Sequence, residues 1–331
     1  MGGSSWSDAD YTNRASSKAA AGKATFDYNV DVKRGAAHGV HPDLNIKNKI
    51  REARDSAAHP ESVPIGVIFD VTGSMHEVPA QMQKKLPELM GLLLRKGYVK
   101  DPQILFGAIG DTYSDSYPLQ LGQFESGIEM DDNLTKVILE GNGGGQNRES
   151  YQNALYYFAH RTACDAWEKR GKKGYLFLTG DEHPYQVSTR EELSAYIQDA
   201  VERAYTIEEI VAACKERWHV FFIIPKGTSH YHEPDLKADW QQLLGAENVL
   251  MLDDPNGICE LIGLTIGLME GAIIGETIPD VLKDVGTSAK VAHAVSSALD
   301  PLAKSAALVR AGAASGALAE SKGRSDKNER L

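Results

Sequence analysis

Five short apolar runs, at 65–69, 104–109, 175–178, 220–224 and 249–252, constrain this chain more than any other feature. Each is rich in Ile, Leu, Val and Phe, and the stretches between them carry apolar residues at helical spacing. A strand without polar alternation must be covered on both faces, so the pattern predicts a mainly parallel sheet sandwiched by helices. A sixth run, 119–124, alternates instead. Only nine residues, 110–118, separate it from the second run, too few for a helical crossover, so it is expected as an antiparallel edge strand. Helices are expected at 78–96, 151–162, 190–204, 207–217, 236–244 and 258–269. The fold class that follows is α/β: a doubly wound, mostly parallel, six-stranded Rossmann-like sheet with one antiparallel edge strand.

That core occupies residues 63–275. Residues 1–62 form a polar extension rich in Ala, Gly, Ser and Asn, expected to be mostly irregular with one short helix at 46–57. Residues 276–331 form an Ala-rich tail, with helices expected at 288–299 and 302–318, a break at Pro301 and disorder over 321–331. The 331 residues are 42% hydrophobic and 24% charged, which excludes disorder throughout. Thirty-five basic against 46 acidic side chains leave a formal charge of -11, so no nucleic acid and no membrane surface is expected as a partner. The apolar stretch 258–274 is interrupted by Glu260 and Glu270 and reads as a buried helix rather than a membrane span. No secretory signal is read at the N-terminus, and Cys164, Cys214 and Cys259 are odd in number and widely spaced, so a cytoplasmic protein with small buried thiols is expected.

In an open parallel sheet the ligand crevice lies beyond the carboxyl ends of the strands. The first run ends Asp70-Val71-Thr72-Gly73-Ser74, one carboxylate and two hydroxyls at alternate positions on a turn eased by glycine. The run at 175–178 ends Thr179-Gly180-Asp181-Glu182-His183 and brings a second carboxylate. Two carboxylates, hydroxyls and water make a hard oxygen shell suited to Mg2+ or Mn2+ at about 2.1 Å. Each group also has a structural use without metal, since Asp70, Thr72 or Ser74 can cap a helix. The pair His230 and His232 lacks an evident third ligand and reads as an exposed loop.

The Asp-x-Thr-x-Ser pattern with a later Asp resembles the metal-ion-dependent adhesion site (MIDAS) of von Willebrand factor A (vWA) domains, over roughly residues 63–269. The resemblance implies that Asp70, Thr72 and Ser74 form the first metal loop and Asp181 the third. The second loop, Gly141-Asn142-Gly143-Gly144-Gly145-Gln146-Asn147-Arg148-Glu149-Ser150, is similar to the G-G-G-D-x-P-E loop of intracellular bacterial and phage members, with Gln146 at their Asp and Arg148 at their Pro. Gln146, Asn147 and Ser150 are the alternatives it offers for coordination. Asp111 after the second strand and His183 after the fourth resemble rim residues of the same relatives.

Three functions are consistent with this reading. The first is a non-enzymatic, Mg2+-dependent protein-interaction module, in which a partner Asp or Glu completes the ion's coordination. The second is a metal-dependent phosphohydrolase on a similar sheet, resembling haloacid-dehalogenase-like enzymes with Asp70 at their nucleophile; it is disfavoured because Thr72 stands where that resemblance implies an acid/base Asp, and a threonine moves no proton at neutral pH. The third is an assembly or scaffold protein with a structural metal, self-associating through the tail.

Overall fold

The computed structural model describes residues 4–71, 73–75, 77–141 and 147–328, with side chains as far as 311 except that of Ser74. Its centre is a six-stranded sheet of β1 (Ser62–Asp70), β2 (Asp101–Ile109), β3 (Leu119–Leu121), β4 (Gly174–Thr179), β5 (Trp218–Pro225) and β6 (Val249–Leu252). Strand order is β3-β2-β1-β4-β5-β6, and only β3 runs antiparallel. This is the doubly wound arrangement expected above, and its order reverses at β1.

Every residue of β1 is buried, and its side chains alternate between two cores. Val63, Ile65, Val67, Phe69 and Val71 join one face, covered by helices Glu77–Lys84, Leu86–Met90 and Ile258–Met269. Ile68 joins the other, covered by Tyr151–His160, Ile207–Arg217 and Pro234–Leu244. Gly66 also faces that second core: a Cβ there would come within 2.5 Å of the Phe158 ring, so the missing side chain lets the helix Tyr151–His160 lie against the sheet.

Several helices differ from expectation, for local reasons. The stretch 78–96 is broken after Lys84, because Pro87 has no N–H to continue the ladder and instead starts a second helix, Leu86–Met90, which passes into a π-turn, Gly91–Arg95. Residues 190–204 carry only a short helical turn, Arg190–Glu192, and a π-turn ending at Gln198, which has left-handed φ of 59°. Ile258–Met269 has the expected bounds and is buried over nearly its whole length. Among the described residues no helix is long and apolar enough to cross a membrane.

The N-terminal extension is more ordered than its composition suggests. It contains helices Asp8–Ala20 and Asp27–Lys33, and the expected helix at 46–57 is replaced by a strand, Arg51–Ala53, paired in parallel with Thr162–Cys164. Arg51 ties the extension to the sheet, its buried guanidinium donating to the carbonyls of Asp43 (2.6 Å) and Leu121 (2.6 Å). In the tail, one helix, Ala289–Asn328, runs through Pro301 in place of the expected break. Residues 321–328, expected to be disordered, belong to it, and residues 329–331 lie outside the described ones. Cys164 ends the strand Thr162–Cys164, and all three thiols are free and buried.

Candidate metal site

The register of β1, β2 and β4 brings three sequence-distant aspartates to one edge. Asp70 stands level with Ile109 of β2, and Phe69 with Thr179 of β4, so Asp111 and Asp181 each follow their strand end by two residues. The Val71 N–H donates to the Ile109 carbonyl and the Gly180 N–H to that of Ile223, which holds each turn against its neighbour just past the sheet. All three carboxylates are buried.

Their partners differ. Asp70 Oδ2 accepts from the Tyr151 hydroxyl at 2.9 Å. Asp181 Oδ2 accepts the His230 N–H at 3.0 Å. Asp111 organises its own turn, accepting from the Tyr113 N–H (3.1 Å) and the Ser114 hydroxyl (2.8 Å), an aspartate-capped loop. The second loop meets the first where the Gly141 N–H donates to the Val71 carbonyl at 3.1 Å. It meets the third loop where Arg148–Glu149 pairs in parallel with His183–Pro184. Asn147 is exposed and accepts the His183 N–H on its carbonyl at 3.0 Å. Ser150 is buried, and its hydroxyl is engaged by the backbone N–H and the hydroxyl of Thr112, both at 2.9 Å. The His183 ring turns to Asp239 at 2.8 Å. Thr72 and Gln146 lie outside the described residues, as does the side chain of Ser74, whose backbone is in the 3-10 turn Gly73–Met75.

Two further acids join this edge that strand-end reading did not single out. Glu149 is 1% exposed and Glu182 8%. Burial, then the charges of Asp70, Glu182, Asp115 and Asp111, push the Glu149 carboxyl up to about 11. Burial and then Asp70, Asp181, Asp111 and Asp115 push Glu182 up to about 9. Glu140, just before the second loop, is raised to about 7 by burial and Asp115. Among the described residues, one carboxylate oxygen of Glu149, one of Glu182 and the hydroxyl of the fully buried Thr179 have no hydrogen-bond partner. A signal for both glutamates was present in the sequence, since each sits in a turn that carries another candidate ligand. What the sequence lacked was the pairing of 148–149 with 183–184, which brings the two turns together.

Clustered buried carboxylates are unfavourable unless protons or a cation neutralise them. The carboxylates and hydroxyls at this edge offer oxygen, which suits a hard ion such as Mg2+ or Mn2+. Among the described residues no group of three or more His, Cys, Asp and Glu side chains is placed to hold a metal ion by itself.

No family model matches the sequence, and no curated protein matches it. Among similar solved structures, the open form of the pilus adhesin SpaC from Lactobacillus rhamnosus GG is 9% identical, with TM-score 0.45, covering 69% of this chain and 33% of the adhesin. Proximal thread matrix protein 1 from the mussel byssus is 11% identical, with TM-score 0.41, covering 63% of this chain and 46% of that protein. This chain thus spans about a third of the one and under half of the other. At such identities neither likeness speaks to chemistry.

Proposed function

We propose that this chain is a Mg2+-dependent protein-interaction module of the von Willebrand factor A type, working in the cytoplasm without catalysing a reaction. Asp70, Thr72, Ser74 and Asp181 would hold the ion, with help from the second loop, and a partner's Asp or Glu would complete it. The observation that carries this reading is the convergence of buried acids at one end of the sheet, beside the strand where its order reverses. Glu182 feels both Asp70 and Asp181, and Glu149 feels Asp70 and Glu182. A divalent ion relieves that repulsion and attracts a further carboxylate from outside, which the uncompensated cluster would repel. The metal supplies an electrostatic anchor for the partner; the chain's own residues orient the oxygens and exclude water around them.

Acetate is a minimal stand-in for the partner's side chain. With Mn2+ bound to the wild-type protein, the acetate methyl resonance should broaden in a protein-dependent way, and Asp70→Ala should abolish the effect. Equal broadening in both proteins would remove the proposal.

A further inference from the structure

We propose that Tyr113 and Tyr185 form a docking platform for an arginine of the partner, lying close to the acid that the partner offers to the ion; this rests on the reading of the site given above and names the partner's chemistry more closely. Among the described residues Tyr113 is the one Tyr, Phe or Trp that is exposed, at 64%. Its ring meets that of Tyr185 at 4.9 Å, tilted by 51°. The pair joins two of the loops at the candidate metal edge. Tyr113 lies in the Asp111 turn, where its N–H donates to Asp111 Oδ1 at 3.1 Å. Tyr185 follows His183–Pro184 of the third loop, and its hydroxyl donates to the Asp111 carboxylate.

The turn that displays Tyr113 is held from several sides. The Thr112 N–H donates to the Ser150 hydroxyl at 2.9 Å, the Thr112 hydroxyl to Glu192 Oε1 at 2.8 Å, and the Thr112 carbonyl accepts from the Tyr196 hydroxyl at 2.9 Å. The Asp111 N–H donates to Asp115 Oδ2 at 2.8 Å. An exposed ring on a backbone fixed in this way loses little further freedom when a partner covers it, and tyrosine is among the side chains that carry most binding energy at interfaces.

Charge decides what should cover it. Burial, then Glu192 and Asp111, raise the Tyr113 hydroxyl above its ordinary value, and burial, then Asp111, raise that of Tyr185. Both rings therefore stand among acids, while the Arg148 guanidinium turns to the Pro184 carbonyl at 2.8 Å. The chain as a whole carries a formal charge of -11. A tyrosine face attracts a guanidinium through its ring quadrupole, and neighbouring carboxylates add to that attraction. An apolar or acidic group would gain from neither. A partner segment with arginine beside its acid engages the rings and the ion together.

The probes are two capped tripeptides, acetyl-Arg-Glu-Arg-amide and acetyl-Ala-Glu-Ala-amide, with acetate as the bare acid. Dissociation constants follow from protein-dependent broadening of their resonances by bound Mn2+, on wild type, Tyr113→Ala, Tyr113→Phe and Asp70→Ala. The preference of wild type for the arginine peptide over the alanine peptide should exceed that of Tyr113→Ala by about threefold, with acetate binding unchanged between the two. Tyr113→Phe keeps the ring and should keep the wild-type preference. Equal preference in wild type and Tyr113→Ala overturns the inference and leaves the site intact, provided acetate reports on wild type and not on Asp70→Ala. A Tyr113→Phe that behaves as Tyr113→Ala assigns the effect to the hydroxyl and overturns the inference as well. No acetate broadening with wild type, or the same broadening with Asp70→Ala, overturns the site and this inference with it.

Discussion

At the scale of single residues, the site's character lies in what burial does to its acids. The ordinary glutamate value of 4.5 is raised to about 7 at Glu140, about 9 at Glu182 and about 11 at Glu149. Above pH 4.5 the unfolded chain has released these protons while the metal-free fold still holds them, so the unfolded state binds fewer protons and stability falls as pH rises. Metal-free protein should therefore show a falling melting temperature across the range from about 5 to 9, most simply followed by circular dichroism. Glu149→Gln keeps the shape and removes the ionisation, so it should flatten that slope and stabilise the metal-free protein at pH 8 by about 1–3 kcal/mol. A wild-type melting temperature that is flat or rises over that range would contradict the assignment. Gly66→Ala tests packing rather than charge. Its methyl group would collide with the Phe158 ring, and urea denaturation should show a loss of about 1–3 kcal/mol.

Elements place the acids, and here the two halves of the account had different visibility. The strands were legible because burial on both faces leaves an unbroken apolar run, and the antiparallel edge was legible because nine residues cannot carry a crossover. Asp70 and Asp181 followed from those strand ends. The helix Asp8–Ala20 was not legible: none of its residues is buried, so it has no apolar stripe to read, and it starts on the Ser7 side chain, which accepts the Asp10 N–H. Arg51–Ala53 hid for a related reason, being a charged segment whose strand partner, Thr162–Cys164, lies more than a hundred residues away. Glu149 and Glu182 escaped notice because the parallel pairing of Arg148–Glu149 with His183–Pro184 links loops that no local pattern connects. That pairing predicts a shared response. Amide hydrogen exchange should slow at Arg148, Glu149 and His183 together on adding Mg2+, whereas protection of one segment alone would separate the loops.

At the scale of the whole molecule, the tail's first turns belong to the core. Val291, Val295, Leu299 and Leu302 of the helix Ala289–Asn328 are buried with Ile258 and Leu261, and a Cβ on Gly257 would lie 2.6 Å from Val295. Leu308 and Val309, by contrast, are exposed. Ending the chain after residue 310 should therefore change the melting temperature little. Ending it after residue 287 removes those four apolar side chains, each worth about 1.5–3 kcal/mol, and should destabilise the protein severely. Light scattering of the chain ending at residue 310 also tests the self-association expected of the tail: loss of a dimer would assign it to 311–331, and an unchanged mass would remove that expectation.

The central claim is that carboxylates far apart in sequence share one hard cation. Calorimetric titration of Mg2+ into wild type, Asp70→Ala and Asp181→Ala tests it most directly. The account predicts a single saturable site in wild type and no measurable heat of binding in either variant. A wild type that takes up no Mg2+, or an Asp181→Ala that binds as wild type does, would contradict it.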